Sequence, residues 1–158
     1  MSRTDEIAGV VYEPRRVIED ARGSVLHFLR ADAPNFTTFG EVYFSEARPG
    51  AVKGWKRHHR QTQRYVVPVG RLRVVLYDDR ERSPSRGVNA VWTLGRPDDY
   101  GLLTVPPLIW YAFAAHGDAT ALLANCADLP HDPNEAENLP IDGGGNPALA
   151  RCYRLFAS

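Results

Sequence analysis

Lys56 and His58 lie two residues apart in the stretch "GAVKGWKRHHRQTQRYVVPVG", and Tyr111 follows in "VPPLIWYAF". An imidazole is the commonest general base near neutral pH, a lysine that is desolvated loses proton affinity and can take that role, and a phenol can donate to a developing oxyanion. Together these groups suit removal of a proton next to a carbonyl and return of a proton to the enolate. Lys56 could equally stay charged and grip an anionic substrate. Each also has a plain structural reading: a lysine snorkelling outward, a hydrogen-bonded core histidine, a packed core ring.

Residues two apart on a strand share a face, so Lys56 and His58 point the same way, whereas His59 points to the other face. Gln63 has no acid-base role at ordinary pH and would orient a ligand or its neighbours. Arg22, Lys53, Arg57, Arg60 and Arg64 are candidates to clamp a phosphate or carboxylate, or else a solvated cationic face. Trp55 and Trp110 read as packing residues, and His116 and His131, beside turn formers, as turn or surface residues.

The elements that must position these groups are short. β-rich runs at 9–12, 24–29, 41–47, 64–69, 71–77, 101–105, 110–115 and 120–125 alternate with turn signals, and the 13 glycines and 12 prolines fall largely between them. This predicts an all-β chain of two packed antiparallel sheets, one domain over residues 1–158 with its core at about 9–126. Residues 129–158 form a Pro/Gly-rich C-terminal segment, predicted to be irregular over 129–147; its last run, "ALARCYRLFAS", suits a short helix or a final strand.

Composition narrows the partners. The 19 basic and 19 acidic residues cancel, which removes the electrostatic footprint of a nucleic-acid binder and leaves a small-molecule substrate as the expectation. No apolar run approaches the roughly 20 residues that cross a bilayer, and the start "MSRTDEIAG" is polar, so a cytoplasmic protein without membrane contact is expected. Cys126 and Cys152 form no CxxC pair and read as small buried residues. Neither GxGxxG nor a P-loop is present, and no cofactor is expected.

The spacing resembles the first motif of the cupin jelly roll, in which Gly, His-x-His, Glu and Gly recur at fixed intervals. Gly50, Lys56, His58, Gln63 and Gly70 hold those positions. The second cupin motif, Pro-x-Gly-x-x-His, falls on Pro106, Leu108 and Tyr111. A transition metal in such a barrel wants neutral imidazoles and a carboxylate. Lysine, glutamine and tyrosine in their places lead to the expectation of a double-stranded β-helix whose metal set has been replaced.

The longer pattern resembles the dTDP-4-dehydrorhamnose 3,5-epimerase family, a metal-free branch of cupins acting on nucleotide-linked 4-keto sugars. The matching pieces are "DARGSVLHF" at 20–28, "EVYFSEARPGAVKGWKRHH" at 41–59, "GRLRVVLYDDRERSPSRG" at 70–87 and "VPPLIWYAF" at 105–113. The resemblance implies a substrate-binding set of Arg22, Tyr43, Lys53, Gln63 and Asn125, and a homodimer paired through its sheets. It also places the family's base histidine at Lys56, its general-acid tyrosine near Ala124 or Asn125, and the acid that assists the base near Asp142. The usual His and Tyr are therefore replaced here, and the catalytic candidates are His58, Lys56 and Tyr111.

The leading expectation is a metal-independent isomerase or epimerase-like enzyme acting next to the carbonyl of a keto sugar or secondary-metabolite intermediate. One alternative is a non-catalytic cupin that binds a sugar or metabolite. Another is a metal-dependent cupin oxygenase, which only the His58–His59 pair favours.

Overall fold

The structure, a computed structural model, describes residues 6–157. Two five-stranded antiparallel sheets face each other as a jelly roll. The first contains β1 (Val11–Pro14), β9 (Gly101–Val105), β6 (Gln63–Val69), β11 (Ala121–Ala127) and β4 (Glu41–Ala47), side by side in that order. The second runs β12 (Ala136–Asn138), β5 (Val52–His58), β10 (Ile109–Ala115), β7 (Arg71–Asp78) and β8 (Asn89–Gly95). A separate ribbon pairs β2 (Val17–Asp20) with β3 (Gly23–Leu26).

Alternation along the strands fills the space between the sheets. Leu72, Val74 and Leu76 of β7 meet Ile109, Tyr111 and Phe113 of β10, Tyr65 and Val67 of β6 and Leu123 of β11 in one buried cluster. β10 is apolar on both faces because its outer face is covered too. Trp110 and Ala112 pack with Trp55 under Leu149 and Cys152 of the helix α1 (Pro147–Tyr153), whose Asn146 side chain caps its first turn. Burying a side chain such as Leu149 is worth about 1.5–3 kcal/mol, which is what holds so short a helix in place. On the other outer face, Val17, Leu26 and Phe28 lie against Val66, Leu102 and Ala124.

Two sequence expectations change. β2, β5, β8 and β12 are absent from the predicted runs, although the cupin spacing puts Lys56 and His58 on a strand, and the segment predicted to be irregular carries a 3₁₀ turn at Pro133–Glu135 followed by β12, which pairs with β5. Ala-Glu-Asn has no β-forming character of its own, so tertiary pairing alone makes it a strand. The final run is helical. Cys126 and Cys152 are free and buried, as read from the sequence.

The "DDRERSPS" stretch is a structural knot. Asp78 is completely buried and accepts hydrogen bonds from the backbone and guanidinium of Arg80 and from the hydroxyls of Ser83 and Ser85. Burial opposes ionisation, yet those donors outweigh it and hold the carboxyl well below its usual range.

Candidate active site

β5 enters the second sheet with a bulge. Lys56 pairs with Tyr111 and Gly54 with Ala112, and the register shifts between them. Gly54 has φ +140°, and a Cβ there would lie 2.6 Å from the Ala112 Cβ, so only glycine fits. The bulge turns Trp55 outward into the layer under α1, where its Nε1 donates to the Ile141 carbonyl at 3.1 Å. It also lets Lys53 and Lys56, which strict alternation would put on opposite faces, line one cavity.

That cavity, about 250 Å³, lies between the sheets. Ser45, Tyr43 and Leu123 come from the first sheet, as does Tyr65; Lys53, Lys56, Tyr111 and Phe113 come from the second, with Asn138 at its rim. The size is near the lower end of small-molecule pockets, roughly 300–1,000 Å³, and suits a single small ring whose substituents leave by the mouth. Lys53 sits at the mouth, donating to the Ser45 hydroxyl and, at 3.0 Å, to the Glu46 carbonyl, with its Nζ 5.6 Å from the Phe113 ring centroid.

His58 is buried behind Tyr111. Its Nδ1 lies 2.8 Å from Glu135 Oε2, and its Nε2 lies 3.0 Å from the Tyr111 hydroxyl. Glu135 arrives there because β12 pairs with β5 at Ala136 and His58, and the 3₁₀ turn just before β12 aims the carboxylate inward. Its other oxygen accepts from the backbone N–H groups of Arg60 and Gln61. Burial raises the Glu135 pKa, but these N–H groups and His58 outweigh it, and the carboxyl titrates below its ordinary value.

Ionised Glu135 can only accept, so Nδ1 of His58 carries the hydrogen and Nε2 is left to accept from the Tyr111 O–H. Desolvation keeps His58 below its ordinary pKa despite Glu135, with the charge of Lys56 pushing the same way. Burial raises the Tyr111 pKa, reinforced by Tyr43 across the cavity. The result is a neutral imidazole, oriented by a carboxylate, whose bare nitrogen faces a phenol at the cavity wall.

Tyr43 is anchored on the facing sheet. Asn125 stands directly opposite it in the β4–β11 register and donates to its hydroxyl at 2.9 Å, and that hydroxyl donates to Gln63 Oε1 at 3.5 Å. Gln63 is itself fixed by Gln61 at 2.6 Å. Gln63 and Asn125 are buried behind Tyr43, outside the cavity lining.

The structure therefore brings His58, Lys56, Tyr111, Tyr43 and Lys53 to one site, with Gln63 and Asn125 supporting it. Arg22 is not among them: it stands at the tip of the β2–β3 ribbon, side chain 90% exposed, paired with Asp20 at 2.7 Å. Asp142 is exposed and caps the Gly144 N–H, so the acid beside the base is Glu135 instead. Trp110 packs as read, but Arg57 stacks on its ring at 4.5 Å and pairs with Asp79 and Glu137, all on the outer face. His59 is on that outer face too, 3.9 Å from Glu137. Among the described residues no group of three His, Cys, Asp or Glu side chains could hold a metal ion, and both Glu135 oxygens already serve the protein.

Glu135 and Tyr65 are the residues that sequence reasoning missed. Asp132-Pro133 before Glu135 signals a capped turn, since Asp132 accepts from the Asn134 N–H, but nothing local says that the turn faces His58.

No family model matches the chain. Over 132 residues, covering 80% of the chain and 83% of the relative, it is 34% identical to a probable low-salt glycan biosynthesis epimerase of Haloferax volcanii. It is 27% identical over 135 residues, covering 85% of the chain and 89% of the relative, to a spore coat polysaccharide biosynthesis protein of Bacillus subtilis. Among solved structures, a dTDP sugar isomerase from Desulfovibrio desulfuricans superposes with a TM-score of 0.86 at 51% identity, covering 90% of this chain and 89% of that one.

Proposed function

The chain belongs to the dTDP-sugar isomerase and epimerase family of cupins, and on that premise we propose that it moves a proton next to the carbonyl of a nucleotide-linked keto sugar. The observation that carries this reading is the hydrogen-bonded line Glu135–His58–Tyr111, which ends at the wall of the cavity.

In this reading the sugar ring occupies the cavity with its acidic C–H against the Tyr111 oxygen. The Tyr111 proton passes to His58 Nε2 ahead of the carbon proton, the phenolate oxygen so formed then takes the carbon proton, and the C–H electron pair moves into the enolate. Glu135 steadies the imidazolium, as the carboxylate does in serine hydrolases. Lys56 meets the charge on the enolate oxygen. Tyr43, on the facing sheet, returns a proton to the opposite face of the ring, which gives an epimer. Lys53 at the mouth takes an anionic group of the nucleotide arm.

Two copies are proposed to pair through the first sheet. Val42 and Phe44, 46% and 64% exposed on the edge strand β4, form an apolar row that supports such pairing.

Solvent deuterium uptake into a panel of nucleotide-linked 4-keto sugars tests the function. Uptake by the wild type that falls roughly 10²- to 10⁴-fold in His58→Ala is the expected result. Saturable binding without uptake would favour a metabolite-binding cupin instead, a reading that the enclosure of His58 behind Tyr111 recommends.

A further inference from the structure

Tyr65 projects from β6 into the same cavity, 1% exposed, its ring meeting that of Tyr111 edge-on at a centroid distance of 5.9 Å. Its hydroxyl is shut away from water and makes no well-formed hydrogen bond among the described residues. A buried donor without a partner is costly, and most such groups in folded proteins are satisfied. The neighbours that bear on it electrostatically are the hydroxyls of Tyr111, first, and Tyr43. Gln63, two residues earlier on the same face of β6, is bound to Gln61 and Asn125 and leaves Tyr65 aside.

We propose that Tyr65 is a positioning residue whose hydroxyl is held in reserve for the Tyr111 oxygen, donating to it when the Tyr111 proton moves to His58. At rest the Tyr111 oxygen is a neutral phenol, so a bond from Tyr65 gains little. As the proton leaves, that oxygen gains negative charge in a buried site, and a donor beside it strengthens at that moment. A contact that is weak in the ground state and strong in the transition state raises kcat without tightening substrate binding. The direction of the mutual influence agrees: contact with Tyr65 favours the ionised form of Tyr111, against the burial that disfavours it. The inference rests on the proton path proposed above, but the Tyr65–Tyr111 bond it requires can be measured without substrate.

The experiment places 3,5-difluorotyrosine, whose phenol ionises at an accessible pH, at position 111 of the full chain. Its ionisation is followed by absorbance with Tyr65 present and in the Tyr65→Phe variant. Loss of the donor is expected to move ionisation to a pH higher by about one. In the chain with natural Tyr111, Tyr65→Phe is expected to lower the deuterium-uptake kcat about ten- to a hundredfold, the worth of a hydrogen bond to a charged oxygen, with KM unchanged. Its melting temperature should hold, since the hydroxyl makes no well-formed hydrogen bond in the resting fold. Unchanged ionisation together with unchanged kcat overturns the inference. A shifted ionisation in a protein whose wild type takes up no deuterium upholds the Tyr65–Tyr111 bond and overturns the epimerase reading.

Discussion

Glu135 and His58, 77 residues apart in the chain, meet at 2.8 Å, and the same carboxylate binds the backbone of Arg60 and Gln61. One side chain thus fixes both the tautomer of the imidazole and the course of the chain leaving β5. Glu135→Ala strands three donors, two of them buried, an expected cost of about 3 kcal/mol seen as a lower melting temperature. Deuterium uptake should fall by roughly 10²-fold or more. Glu135→Gln keeps an acceptor of the same shape and should recover most of the stability but little of the rate.

In the proposed proton path the neutral form of His58 is the working form, and burial keeps its pKa below the ordinary 6.5. Activity is therefore expected to stay level as the pH drops through 6.5 and to decline only below it, as the ring takes up a proton. Stability follows the same sign. The unfolded chain protonates this histidine more readily, so the contribution of the buried neutral ring is complete above 6.5 and is lost as the pH falls towards the folded-state value. A pH–rate profile whose acid limb vanishes in His58→Gln checks the assignment.

Gly54→Ala adds a Cβ 2.6 Å from that of Ala112 at a φ of +140°. The expected cost is about 2–4 kcal/mol, with the bulge lost or displaced. Since the bulge is what turns Lys53 and Lys56 to the same side, the folded fraction should bind substrate poorly. Chemical denaturation and substrate titration of the same sample measure the two effects.

Asp78→Ala removes the acceptor for Arg80, Ser83 and Ser85 from a fully buried position. Breaking such a charged network costs about 3–5 kcal/mol. Asp78 does not line the cavity, so uptake per folded molecule should be unchanged; a selective loss of kcat would show that the loop does more than hold the barrel.

Much of this was legible in the sequence, for reasons that differ by residue. β7 announces itself by its β-rich apolar run and β10 by an unbroken apolar run after a turn former, both local signals, and the Gly50–Gly70 spacing placed Lys56 and His58 in the barrel. β12 and Glu135 were illegible: a three-residue polar strand forms only because β5 offers it an edge. Arg22 matched a motif, but its position within one chain, at a ribbon tip bound to Asp20 and apart from the cavity, depends on packing that no short motif records. Tyr65 was passed over as one aromatic among several; only the buried hydroxyl without a partner singles it out.

The screen that Tyr111 makes in front of His58 has a practical side for anyone who labels this protein. His58 is 6% exposed, whereas the His59 side chain beside it is 44% exposed. Acylating reagents aimed at imidazoles will mark His59 quickly and harmlessly, and only a slow second phase will silence the enzyme. Ligands that fill the cavity will lengthen that slow phase and leave the fast one alone, so the two neighbours serve as an internal clock for occupancy.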